Sequence, residues 1–166
     1  MLQTQLSALA KELISRSPHS PSEDLRGVVP NQLGAYVWSE KSSGQIVYAG
    51  SATGNKGLYR RIIGQHLNPK YLLTNKEKWH QQKDAFQIVN FVLSNGKPAI
   101  DKSAFRKNIG RAHRIRPGEG TVRFIKDNFI LRFIVLPSRE TALSIEDEII
   151  DLYCPRYNIS GNPGAM

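Results

Sequence analysis

A carboxylate on the apolar face of a helix needs a counter-charge, and Glu146 is placed that way. Projected at about 100° per residue, Ala142, Ile145, Ile149, Ile150 and Tyr153 share one face and Glu146 falls in its middle. Asp147, Glu148 and Asp151 point away from it. Two kinds of partner satisfy Glu146: a salt bridge to one of the chain's arginines, or a hard divalent cation, for which carboxylate oxygen is a suited ligand. Arg60 and Arg61 stand side by side on another expected helix. They form either a solvated basic face or a guanidinium site for a phosphate, a geometry that arginine matches with paired hydrogen bonds. Tyr36 and Tyr48 fall on one face of an expected hairpin just before that helix. His66 projects to the apolar side of the arginine helix with Ile62 and Ile63, as a core histidine or a catalytic one.

The elements that must position these residues follow from periodicity. Leu2, Leu6, Leu9, Ala10, Leu13 and Ile14 recur at helical spacing and predict a helix over 2–16, stopped by Pro18 and Pro21. Alternation over 34–39 and 46–50 around Ser42-Ser43-Gly44 predicts a hairpin. Its apolar face carries Ala35, Val37, Val47 and Ala49, and its other face carries both tyrosines. A helix is expected over 58–67 and a short one within 75–83. Residues 85–93, rich in Val, Ile and Phe, predict a strand. Residues 101–114 predict a basic helix, joined by a loop over 116–120 to a strand at 129–136. That last strand has almost no polar residue, so it is expected to be central and covered on both faces. Ser138 caps a final helix that runs to Tyr153, and Pro155 ends it.

In this order the residues resemble the GIY-YIG nuclease family. Gly34-Ala35-Tyr36 and Tyr48-Ala49-Gly50 are similar to its two signature tripeptides. Gly57-Leu58-Tyr59-Arg60-Arg61-Ile62 with His66 is similar to its arginine helix. Ala142-Leu143-Ser144-Ile145-Glu146, closed by Pro155-Arg156-Tyr157-Asn158, is similar to its metal-binding glutamate and terminal asparagine. The likeness covers residues 33–67 and 128–160. It departs from the family at Ala35 and Ala49, where the signature has isoleucine, and at Ser51, where some members carry lysine. It departs again in the interval from Arg61 to His66, which is five residues rather than four. Five residues turn about 140° on an ideal helix. A π-bulge near 62–64 would bring both side chains to one face.

The resemblance implies an α+β fold, with a small, mostly antiparallel central sheet flanked by helices. It also implies metal-dependent endonuclease cleavage of a nucleic-acid phosphodiester. Carried over by position, Glu146 would hold one divalent ion, Mg²⁺ or Mn²⁺. Arg61, or Arg60, would steady the scissile phosphate. Tyr36, Tyr48 and His66 would line the site, with one tyrosine near the attacking water. Gly34 and Gly50 would shape the hairpin, and Asn158 would brace it. The signature leaves restriction, mobile-element invasion and repair open as roles.

Charge points to the same class of partner. Twenty-three Lys and Arg against 14 Asp and Glu leave a net charge of +9, an excess that favours a polyanion. Residues 97–127 hold nine Lys and Arg against three Asp and Glu. That stretch is expected to be a basic insertion that recognises substrate through Lys102, Arg106, Lys107, Arg111 and Arg114. Double-stranded DNA is the expected partner, with RNA or branched DNA as the alternative substrate and a non-catalytic nucleic-acid-binding module as the alternative function. Cutting both strands requires a homodimer or two successive nicks. The length predicts one domain over 1–166, with an N-terminal helix and loop over 1–31. No apolar run nears the ~18 residues of a membrane span, and Lys11 and Glu12 interrupt any signal-peptide pattern. Cys154 is the one cysteine, which excludes an intrachain disulfide and a Cys-based zinc site. A cytoplasmic location is the expectation.

Overall fold

A computed structural model describes residues 5–158. At its centre is a three-stranded antiparallel sheet of β1 (Gly34–Glu40), β2 (Ile46–Ala52) and β5 (Phe129–Val135), in the order β2-β1-β5. The central strand is therefore β1, not the apolar stretch near 130. β1 pairs with β2 on one side and β5 on the other, and six of its seven residues are buried. The outer edge of β5 is shortened by an isolated bridge, in which His19 and Leu131 exchange backbone hydrogen bonds of 2.8 and 2.9 Å. Such capping protects an edge strand from further pairing.

Alternation on β1 divides the core in two. Ala35, Val37, Ala49 and Ile134 face α1 (Ala8–Ser15) and α6 (Arg139–Tyr153), where they meet Leu13, Ala142, Ile145 and Ile149. Both alanines that replace signature isoleucines lie on this face, away from the tyrosines. Tyr36, Trp38 and Leu131 face the other way, toward Phe105, Ile109, Ile125 and Tyr157. The hairpin register corrects one expectation. Trp38 pairs with Tyr48 but Ser39 pairs with Ile46, so Val47 is the extra residue of a bulge. The bulge turns Val47 onto the tyrosine face.

The expected N-terminal helix is shorter than its periodicity suggests. Ser7 caps it, accepting from the Ala10 N–H at 3.3 Å, and residues 2–4 lie outside the described residues, as do 159–160. α2 (Gly57–Arg61) continues into a π-helical turn, Ile62–His66. A short sheet of β3 (Leu72–Leu73) and β4 (Ile100–Asp101) follows, with a 3₁₀ turn over Lys76–Lys78.

The expected strand at 85–93 is instead a helix, α3 (Ala85–Asn90). Short apolar runs do not distinguish the two. Tertiary contacts decide: the buried Gln87 amide donates to the Gly110 carbonyl, docking the segment on α4 (Ala104–His113). The loop expected after 116 gives way at once to α5 (Glu119–Asn128), whose Val122 and Ile125 are buried. Residues 97–127 thus contribute Phe105, Ile109 and Ile125 to the core around the tyrosines. Among the described residues no helix is long and apolar enough to cross a membrane.

Candidate active site

Close backbone approach at two glycines positions the hairpin. A Cβ at Gly34 would collide with the Ile134 carbonyl of β5, and one at Gly50 with the Tyr36 hydroxyl. Gly50 is therefore the floor under Tyr36. The outer edge of β2 is closed by Asn158, which accepts from the Ala49 N–H and donates to the Ala49 carbonyl, both at 2.8 Å. The side-chain amide here substitutes for a neighbouring strand.

The π-helical turn handles the five-residue interval from Arg61 to His66. Leu67 N–H donates to the Ile62 carbonyl at 2.9 Å, the i→i+5 pattern. His66 is buried, 1% exposed, with its Nε2 2.6 Å from the Tyr36 hydroxyl and its Nδ1 2.7 Å from Ser103 Oγ. Tyr48 closes the cluster: its ring stacks on Phe105 at 4.6 Å between centroids and meets His66 edge-on at 5.7 Å. Arg61 is exposed, donates to Gln65 Oε1 at 3.1 Å, and has no carboxylate partner among the described residues. Beside it a depression of about 260 Å³ is lined by Thr53, Asn55, Arg60 and Gln65.

Glu146 is half-buried on α6, and among the described residues no lysine, arginine or histidine pairs with it. Its charge reaches both tyrosines. Burial first, then Glu146, pushes the Tyr48 phenol up to about 12, while Arg61 and the Tyr36 hydroxyl pull it back. Burial, followed by Tyr48, holds Tyr36 well above the usual phenol range, again opposed by Arg61. Burial, with Arg61 and Arg106 adding to it, holds His66 well below the ordinary histidine range, so the ring is neutral. Tyr36, Tyr48, Arg61, His66 and Glu146 therefore form one electrostatic group.

Two of the expected nucleic-acid contacts are instead engaged by buried aspartates. Arg106 is 0% exposed. It pairs with Asp101 at 2.5 Å and donates at 2.6 Å each to the carbonyls of Gln65 and Asn68, next to the π-turn. Burial raises the Asp101 carboxyl above its usual range, opposed by Arg106, the Gly118 N–H and the Thr121 hydroxyl. Arg111 grips Asp84 through Nε and Nη2 at 2.7 and 3.0 Å and is almost covered. Arg60, Lys102 and Arg114 are exposed, and Lys107 is half-buried. Arg114 lies over the Phe86 ring at 4.9 Å and Lys102 over Tyr71 at 5.4 Å.

Sequence reasoning did not single out Ser103 or Phe105, the residues that hold His66 and Tyr48 from α4. Their signals were present: Ser103 precedes a helix as its N-cap, accepting from the Arg106 N–H at 3.3 Å, and Phe105 with Ile109 makes an apolar i,i+4 pair.

Donor chemistry limits what metal this site can take. Among the described residues no group of three His, Cys, Asp or Glu side chains converges. Zinc-like closed coordination is not on offer. A single unpaired carboxylate does fit Mg²⁺ or Mn²⁺, since Mg²⁺ keeps several waters and takes one or two carboxylates together with substrate phosphates.

No protein-family model matches the chain, and neither does any curated protein. Among solved structures the chain is similar to two point mutants of the GIY-YIG N-terminal endonuclease domain of UvrC from Thermotoga maritima, each bound to its catalytic divalent cation. One is 15% and the other 17% identical in sequence, each alignment covers 93% of this chain and 99% of that domain, and each TM-score is 0.39.

Proposed function

We propose that this chain is a GIY-YIG-type endonuclease that hydrolyses phosphodiester bonds in DNA with the help of one divalent ion. One observation carries the reading: a half-buried glutamate with no cationic partner among the described residues lies within electrostatic reach of the same two tyrosines as an exposed arginine with no carboxylate partner among them. A purely structural role would have paired Glu146 with one of the chain's many arginines.

Glu146 is the residue that would hold the ion, which supplies positive charge to offset what develops on the phosphate oxygens. The chain's own groups do the rest. Arg61 holds a non-bridging oxygen of the scissile phosphate, and its exposed guanidinium is free to do so. Water attacks phosphorus and gives up a proton as the bond to the leaving oxygen breaks, and that oxygen takes a proton from solvent to leave as a hydroxyl. Tyr48 is the acceptor of that proton, because it is partly exposed whereas Tyr36 is sealed and its hydroxyl is engaged by His66. A phenol at about 12 is protonated at neutral pH, so nearby cations must pull it down for this task. Tyr36 and neutral His66 fix the position of Tyr48 and exclude water from behind it.

Incubation with supercoiled plasmid tests the reading. Nicking that needs Mg²⁺ or Mn²⁺ and is lost in Glu146→Gln is the expected result. Binding without cleavage under every divalent ion would turn the chain into a nucleic-acid-binding module.

A further inference from the structure

We propose that a basic groove on α4 grips the sugar–phosphate backbone of the substrate strand next to the cleavage point. The inference rests on the nuclease reading for its substrate. The groove, of about 330 Å³, has Lys78, Trp79, His80 and Lys83 on one wall and Ala104 and Lys107 on the other.

Three observations converge on a phosphate-bearing strand. The first is uncompensated charge. Among the described residues Lys78, Lys83 and Lys107 form no ion pair, and Asp84, the acid beside them in sequence, is buried and held by Arg111. Burial and the charge of Arg111 depress the Lys107 ammonium below its usual range. That is the strain an incoming anion relieves.

The second is a rigid aromatic wall. The Trp79 indole N–H donates to the Leu73 carbonyl at 2.9 Å, which fixes a half-buried ring at the groove. His80 Nδ1 accepts the Lys83 N–H at 3.1 Å and folds the turn that presents Lys83. Lysines interleaved with a fixed aromatic are how a backbone is tracked and a base stacked.

The third is position. Ser103 holds His66 and caps α4, Ala104 is next, and Lys107 N–H donates to the Ser103 carbonyl at 2.8 Å. The residue that caps α4 thus touches the tyrosine–histidine cluster, and the groove's Ala104 and Lys107 lie within the helical turn that follows it.

The test is the combined variant Lys78→Ala, Lys83→Ala, Lys107→Ala, titrated against a fluorescent duplex DNA oligonucleotide over a range of salt with chelator present. The plot of log affinity against log salt should flatten by up to about 2.7, or about 0.9 for each phosphate no longer neutralised. Should the triple variant not fold, Lys83→Gln alone is expected to flatten it by about 0.9. Tryptophan fluorescence should be quenched by DNA in the native chain and not in Trp79→Phe, since Trp38, the other tryptophan, is buried. A flattened slope in a protein that never nicks plasmid upholds the groove and defeats the nuclease reading. An unchanged slope in a protein that does nick plasmid overturns the groove alone, and failure of the native chain to bind DNA overturns it as well.

Discussion

Two helices carry paired or clustered arginines, and the fold treats them in opposite ways. α2 exposes Arg60 and Arg61, and among the described residues no carboxylate pairs with either. α4 buries Arg106 and nearly covers Arg111, each held by an aspartate from a neighbouring segment. In the sequence both stretches read as basic. The difference lies in Asp101 and Asp84, whose spatial relation to α4 no local pattern reveals. Net charge therefore overstates the cationic surface. What the molecule offers a polyanion is the set of cations left unpaired, and Arg61 is the one that acts on the tyrosines.

The comparison is broken most sharply by removing one arginine of each kind. Arg106→Ala should cost about 3–5 kcal/mol of stability, because Asp101 is left buried without its counter-charge. Three carbonyls, of Gln65, Asn68 and Tyr71, also lose a donor. Denaturant unfolding checks this, and a loss near zero would mean that Arg106 is not the hub described. Arg61→Ala should leave the unfolding midpoint within the usual ±0.5 kcal/mol of a surface change. Plasmid nicking should nevertheless fall about 10²–10³-fold, as when a single transition-state donor is removed. Equal damage to stability by both substitutions would erase the distinction between the helices.

Arg111→Ala should fall between them. Its bidentate hold on Asp84 is partly open at the surface, so about 1.5–3 kcal/mol is expected from a hydrogen-bonded charge. Thermal melting in parallel with Arg106→Ala should rank the two, with Arg106→Ala the lower.

The same comparison explains what was legible in the sequence. The hairpin (apart from the face of Val47, which a bulge reverses), the Ser138 cap and the Arg61–His66 interval are local, and they read correctly: period-2 alternation, a capping serine and a one-residue excess each leave a signature in adjacent positions. The excess became the π-turn. What failed depends on distant partners. The order of strands was misread because the apolar run at 129–135 resembles a central strand, while β1 is central only because two strands flank it. Residues 85–90 were misread because the Gln87–Gly110 contact is a tertiary choice. α5 was hidden behind Gly118 and Gly120. In the site, Tyr36, Tyr48, Arg61, His66 and Glu146 were visible by type and order. Ser103 and Phe105 were not, because they come from a segment read as a basic insertion for substrate recognition.

The smallest effect concerns His66, which joins the two helices by sitting on the π-turn and bonding to the cap of α4. Its folded pKa lies well below its unfolded value. The unfolded chain therefore binds a proton that the native chain refuses, and stability must fall as pH drops below about 6.5. The limiting slope from one such group is about 1.4 kcal/mol per pH unit. His113 is also held low, by partial desolvation and then Arg156, and adds to the slope of the native protein. His66→Gln retains a donor and an acceptor but does not titrate. It should remove one proton's share of the slope between about pH 6.5 and 5, a window above most carboxylate titration. Urea unfolding at several pH values, in native and variant protein, measures the difference. Parallel stability curves would place a water or an anion beside His66 and open the wall that separates the arginine helix from α4.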